Sequence, residues 1–141
     1  MATKKKTSTN TKADPRFVVR KAASGSGHGL FALVPIKKGA FILEYTGKKI
    51  PTKIADELPT RYLFHVDDEW TIDGSPRTNL ARYINHGCDP NCEVEIEDGH
   101  LMIYAVKNIK KDEELSFDYG EEYYDEFIKE AGCRCTAKKH Q

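Results

Sequence analysis

A chain of 141 residues, 39% of them hydrophobic, has enough apolar side chain for one buried core and too few residues for two ordinary domains. Its 22 basic and 22 acidic side chains cancel, yet residues 1–60 carry 12 Lys/Arg against 4 Asp/Glu and residues 61–141 carry 10 against 18, so the chain is dipolar and its second half suits a cationic partner. No apolar run approaches the roughly 20 residues that cross a bilayer, and the start lacks an apolar signal stretch; the expectation is a soluble, intracellular protein with no membrane partner.

In chain order, residues 1–14 are mostly Lys, Thr, Ser and Asn with little to bury, which predicts a disordered basic tail. Much of the basic half lies in that tail, so nucleic acid is at most an indirect partner. Order is expected from about Arg16. RFVVRKA, GLFALV and AFILEYTGKKI read as three strands separated by the turn chemistry of SGSGHG and PIKKG. Pro59 interrupts any helix after Ile54, and YLFHV and WTI read as two more short strands around an acidic turn at Asp67–Glu69. NLARYINHG suits a helix of one or two turns stopping at Gly87. CEVEIEDGHLMIYAV is the clearest local signal, a hairpin turning at Asp98–Gly99, with Cys92, Val94 and Ile96 on a buried face and Glu93, Glu95 and Glu97 on a wet one. EELSFDYG makes a last strand and EEYYDEFIKEAG a short helix ended by Gly132. No internal repeat stands out. The sum is a mostly β domain with little helix over residues 15–131, followed by a polar segment, 132–141.

Four cysteines in two close pairs are few for a disulfide scaffold and suit metal ligands or reduced thiols. CRCTAKKH sets Cys133, Cys135 and His140 within eight residues, a zinc-type group that needs a fourth ligand from Cys88 or Cys92; the alternative is a pair of free thiols and an unengaged tail histidine. A second group is aromatic and acidic. Tyr45, Tyr62, Phe64, Trp70, Phe117, Tyr119, Tyr123 and Tyr124 recur near Asp67, Asp68, Asp73, Glu121 and Glu122, which suits an alkylammonium ligand, with ordinary core packing as the alternative.

Taken in order, GHGLFAL at Gly27–Leu33, EYTG at Glu44–Gly47, RYINHGCDPNC at Arg82–Cys92 and EELSFDYG at Glu113–Gly120 resemble the SET-domain protein lysine methyltransferases, over about residues 16–141. The resemblance implies a SET-domain fold of small curved β-sheets with a C-terminal pseudoknot. S-adenosylmethionine would lie between the glycine loop and the NH segment, with a peptide entering from the opposite face through a narrow channel. Position by position, Gly27, His28 and Gly29 resemble the backbone that meets the cofactor's methionine moiety, and Tyr62 a further contact. Asn85 and His86 resemble the pair that binds its amino and adenine groups, and Arg82 a support of the knot beside them. Tyr119 resembles the catalytic tyrosine and Tyr45 a channel tyrosine. Phe117 occupies the phenylalanine/tyrosine switch, which implies di- or trimethylation. The tail resembles a post-SET element that binds zinc through Cys88, Cys133, Cys135 and His140, with Cys92 taking a place if the penultimate His140 frays.

The implied partner is a lysine-bearing basic protein such as a histone, and KKKTSTNTK itself is a candidate for automethylation. The implied location is the cytoplasm in a bacterium, or the nucleus and chromatin in a eukaryote or after delivery to a host. Two other classes stay open: a lysine-peptide reader that keeps the fold without catalysis, and a nucleic-acid-associated protein using its basic amino-terminal half.

Overall fold

β-Branched runs cut short by Gly, Pro and Asp can only make short strands. The computed structural model describes residues 14–23, 25, 27–55, 57–58 and 62–119, and in them no strand exceeds six residues. They are β1 (Phe17–Lys21), β2 (His28–Ala32), β3 (Phe41–Tyr45), β4 (Lys48–Pro51), β5 (Leu63–His65), β6 (Trp70–Asp73), β7 (Asn85–His86), β8 (Cys92–Glu97), β9 (His100–Ala105) and β10 (Ser116–Phe117). Among the described residues helix is limited to α1 (Thr52–Ala55) and one 3-10 turn at Leu80–Tyr83. The strands form four small sheets: β1–β2, β3–β9–β8 and β4–β6–β5, all antiparallel, and a parallel pair, β7–β10. The mostly β architecture expected from the sequence is the one observed. Among the described residues no helix is long and apolar enough to cross a membrane.

The core gathers residues from all four sheets, most of them from β3–β9–β8. Leu30 of β2, Leu43 of β3, Ile84 before β7, Ile103 of β9 and Leu115 before β10 are all essentially sealed from water. Each such side chain contributes roughly 1.5–3 kcal/mol on burial. Polar backbone around this core is paired outside the sheets as well: Ala32 N–H donates to Glu113 O at 3.0 Å and Leu115 N–H to Leu30 O at 2.8 Å, so the chain before β10 lies along β2.

Several elements differ from expectation for identifiable reasons. AFILEYTGKKI is two strands, because at Gly47 a Cβ would stand 2.0 Å from the Asp73 carbonyl oxygen; the chain slips past the end of β6 there and changes sheet. NLARYINHG makes a single 3-10 turn and then runs extended into β7. The residue at its N-cap position, Asn79, is fully buried and spends its amide elsewhere, accepting from Thr46 N–H at 3.1 Å and donating to Gly74 O at 3.0 Å, so no side chain caps the turn. The β8–β9 hairpin turns as expected, with Asp98 at φ 55° and Gly99 at φ 80°, the left-handed pair of a type I′ turn. Its alternation decays toward the tip: Cys92 is buried, Val94 half-buried and Ile96 51% exposed, because β8 is an edge strand that outruns the core.

A short repeat also emerges that the linear sequence hides. Ile36-Lys37-Lys38-Gly39 and Ile109-Lys110-Lys111-Asp112 are matching turns whose isoleucines exchange two hydrogen bonds of 2.8 Å across an antiparallel bridge. Each ends in a left-handed residue, Gly39 at φ 90° and Asp112 at φ 69°. At the amino terminus, Asp14, counted with the tail above, is buried and paired to Arg16 at 3.0 Å, while Arg16 also donates to the carbonyls of Phe41 and Ile42. The other tail residues and the helix expected before Gly132 lie outside the described residues.

The parallel pair brings Asn85 opposite Ser116 and His86 opposite Phe117. Buried Asn91 extends this junction: its Oδ1 accepts from Ser116 N–H at 2.9 Å, and its Nδ2 donates to Glu114 O at 2.9 Å and Glu113 Oε2 at 3.1 Å. Asn91→Ala strands these buried groups at a cost of about 1–3 kcal/mol each. Urea denaturation of the variant is expected to show an unfolding free energy lower by about 3 kcal/mol.

Candidate active site

The β7–β10 pair sets His86 and Phe117 side by side and puts Tyr119 just past them. The imidazole of His86 is buried, and its Nδ1 accepts the Tyr119 N–H at 3.1 Å. That leaves Nε2 as the protonated nitrogen of the neutral ring, facing Cys88 Sγ at 3.3 Å. The hydroxyl of Tyr119 donates to the Ile84 carbonyl oxygen. Backbone and ring of Tyr119 are thus both fixed to the strand that carries Asn85 and His86.

From Tyr119 an unbroken aromatic wall runs inward. Ring centroids stand 4.9 Å apart for Tyr119 and Phe117, 6.0 Å for Phe117 and Phe64, and 5.4 Å for Phe64 and Tyr45. Phe117 and Tyr45 are buried; Phe64 and Tyr119 are partly open. Tyr45 is fixed by its hydroxyl, which donates to Tyr62 O at 2.9 Å, and by Gly74, where a Cβ would stand 2.4 Å from the tyrosine ring. Arg82 lies with its guanidinium 4.2 Å from the centre of the Tyr62 ring and donates to Ser75 O at 2.6 Å, so it braces Tyr62 from behind. Of the aromatic and acidic residues grouped by sequence, the wall takes Tyr45, Phe64, Phe117 and Tyr119. Trp70 instead packs under Lys49, and the Asp67 carboxylate is used within its own turn by the N–H groups of Glu69 and Trp70. Tyr123, Tyr124, Glu121 and Glu122 are outside the described residues.

The glycine loop meets the same strand from the other side. Gly27 adopts φ 69°, a left-handed conformation that favours glycine, and a Cβ there would touch nothing within 4 Å. Gly29 is glycine for a different reason: a Cβ would stand 2.3 Å from Glu114 Oε2 and 3.3 Å from Asn85 Nδ2. The space is filled by the protein's own carboxylate and carboxamide. Glu114 Oε1 accepts from Ala23 N–H at 2.9 Å and Oε2 from Asn85 Nδ2 at 3.0 Å, while Asn85 Nδ2 also donates to His28 O at 2.8 Å. Gly74 and Glu114 were not among the site candidates and become legible only when distant segments meet; Phe64, grouped with the other aromatics by sequence, is the ring between Tyr45 and Phe117.

The two described cysteines differ. Cys88 is half-buried in the turn beyond His86, whereas Cys92 is sealed in the core with its thiol donating to Asn91 Oδ1 at 3.4 Å. Burial pushes the Cys92 thiol from its ordinary 9.0 up to about 12, so without a metal beside it the thiol is held protonated. Cys133, Cys135 and His140 lie outside the described residues, and among the described residues no group of three or more His, Cys, Asp or Glu could hold a metal ion. Because the folded state holds the Cys92 proton more tightly than the unfolded chain, stability is full below pH 9 and falls as pH rises toward 12. Chemical denaturation at pH 8 and pH 10 should show a loss of about 1.4 kcal/mol that is absent from Cys92→Ala.

Residues 27–120 match the family model described as SET domain. The chain is 40% identical over 104 residues to "Histone-lysine N-methyltransferase, H3 lysine-4 specific" of Emericella nidulans, spanning 64% of this chain and 8% of that protein. It is 34% identical over 125 residues to "Histone-lysine N-methyltransferase trithorax" of Drosophila virilis, spanning 80% of this chain and 3% of that one. The chain therefore spans less than a tenth of the length of these curated relatives. Among solved structures, a humanized mutant of the Chaetomium thermophilum Polycomb Repressive Complex 2, bound to an inhibitor, superposes with a TM-score of 0.64 at 34% identity, covering 74% of this chain and 15% of that one.

Proposed function

The chain belongs to the SET domain family, and from that premise we propose that it is a protein-lysine N-methyltransferase that uses S-adenosylmethionine. The observation that carries this reading is the aromatic wall from Tyr45 through Phe64 and Phe117 to Tyr119, which ends beside Asn85 and His86. Aromatic faces accept an alkylammonium and shed water around it.

The residues at the glycine loop fit the cofactor. Both protons of the Asn85 amide are spent, on His28 O and Glu114, so Oδ1 is left to accept from an ammonium such as that of the methionine moiety. Gly27, His28 and Gly29 would present backbone to the same moiety, His86 would lie toward the adenine, and Tyr62, braced by Arg82, would close one side. When bound, S-adenosylmethionine supplies an electrophilic methyl group on a cationic sulfur.

The chain's own contribution is to deliver a lysine amine neutral and in line. A lysine with an ordinary pKa of about 10.4 is charged at neutral pH, and desolvation between Tyr45, Phe64 and Phe117 disfavours the charged form. Tyr119, its hydroxyl tied to the Ile84 carbonyl, would hold the amine at the end of the aromatic wall beside Asn85 and His86, where fixed dipoles meet the positive charge that the amine acquires. Phe117 offers no hydroxyl to a methylated amine, which supports di- or trimethylation.

The substrate class proposed is a lysine-bearing basic protein, histones first, since the relatives are histone-lysine methyltransferases by name and the second half of this chain is acidic. Lysines of the amino-terminal tail are proposed as automethylation sites, and chromatin is the expected location in a eukaryotic setting. Zinc bound by Cys88, Cys133, Cys135 and His140 would fold residues 132–141 over the channel as part of its wall. Chelator treatment should then cut activity several-fold, and zinc should restore it.

Calorimetric titration of S-adenosylmethionine tests the core of the proposal. One-to-one binding is expected in the wild type and its loss in an Asn85→Ala, His86→Ala variant that keeps its far-UV spectrum; no binding to folded, zinc-loaded protein would favour a lysine-peptide reader instead. In Phe117→Tyr, mass analysis of methylated histone should show product moving toward monomethyl-lysine, and an unchanged product distribution would remove Phe117 as the switch.

A further inference from the structure

Glu114 bridges three segments that are remote in sequence. It sits immediately before Leu115 and β10, takes the Ala23 N–H at 2.9 Å from the glycine loop, and takes the Asn85 amide at 3.0 Å from β7. Its carboxylate stands so close to the backbone of β2 that residue 29 can carry no side chain, a Cβ there lying 2.3 Å from Oε2. A surface glutamate would impose no such demand on its neighbour.

The chemistry of the bridge is selective. Both partners of Glu114 are N–H donors, so only a group that accepts at both of its oxygens satisfies them together. Asn85 is a carboxamide, whose two ends have nearly the same shape and opposite hydrogen-bonding character. Its orientation is decided by what surrounds it: His28 O and Glu114 Oε2 both demand the amino end, and together they fix Oδ1 as the end left to a ligand.

We propose that Glu114 is the positioning residue of the cofactor subsite: it holds the Asn85 carboxamide with Oδ1 toward the cofactor's α-ammonium and pins the glycine loop with the same carboxylate. This rests on the reading of the chain as an S-adenosylmethionine-dependent enzyme. In Glu114→Gln, no arrangement satisfies every partner. If the glutamine oxygen faces Ala23, its amino group faces the amino end of Asn85; turning Asn85 over relieves that clash but sets Oδ1 against His28 O and points an N–H pair at the ammonium. Glu114→Asp keeps the charge but is one methylene too short to reach both partners.

The test compares two ligands by calorimetry, S-adenosylhomocysteine and its analogue in which hydrogen replaces the α-ammonium. Wild type should prefer the first, and the ratio of the two affinities is the readout. In Glu114→Gln and in Glu114→Asp that ratio should shrink by about tenfold, with the deamino analogue bound within about twofold of its wild-type affinity. Equal losses for both ligands would make Glu114 a support of the pocket as a whole and overturn the proposal, as would an unchanged ratio. An aspartate variant with the wild-type ratio would show that charge alone acts, and overturn the orienting role. Wild-type protein that binds neither ligand defeats the enzyme reading itself, and does so before any variant is compared.

Discussion

Two residues of parallel ladder, Asn85 and His86 against Ser116 and Phe117, are the junction on which the rest of the site depends. A ladder so short cannot hold itself together, because the hydrogen bonds it gains are few against the entropy of bringing remote segments together. The chain compensates with side chains that act as extra backbone. Asn91 supplies a carbonyl and an amide to the strand entering β10, Glu114 supplies two acceptors to the loop and to β7, and the His86 ring takes an N–H from beyond the ladder's end. Polar groups are buried there in matched pairs, which is the condition under which burying them stabilises a structure instead of costing it.

The same junction aligns chemistry of two kinds. On one side the polar partners at Asn85 and the glycine loop leave a defined acceptor; on the other, Phe117 begins an apolar wall continued by Phe64 and Tyr45. Because His86 and Phe117 are ladder partners, the distance between the polar and apolar sides is set by strand spacing and not by loop conformation. A site built on paired strands is held more tightly than one built on free loops, and transfer between two bound molecules depends on that tolerance.

How much of this was legible in the sequence follows the range of the forces involved. The β8–β9 hairpin was readable because Asp98 and Gly99 specify their turn within four residues, and the strand runs were readable from alternation and turn residues. The break at Gly47 was not, since its cause is the Asp73 carbonyl, and the short helix expected over NLARYINHG forms as a single 3-10 turn that stops at Tyr83, short of Gly87. The repeat of the two IKK turns shows only when Ile36 and Ile109 face each other. Tyr45, Asn85, His86, Phe117 and Tyr119 were named by resemblance, and the fold brings them to one place; Glu114 lay within the quoted EELSFDYG motif and was assigned no role. Gly29 was expected to be small for a ligand's sake, yet its immediate neighbour is a carboxylate of the protein.

The parallel ladder also sets when, during synthesis, this protein can first become competent. Once β9 has been made every earlier strand except β7 has its partner, and β7 waits for β10, the last strand of the described chain. Contacts of such long sequence separation form late, after the entropy of closing the intervening segment has been overcome. A nascent chain with its hairpins in place would therefore carry no pocket, and the polar atoms of Asn85 and Asn91 would face water until residues 113–117 arrive. Among the described residues, the junction between the polar and apolar sides closes in one step, with β10.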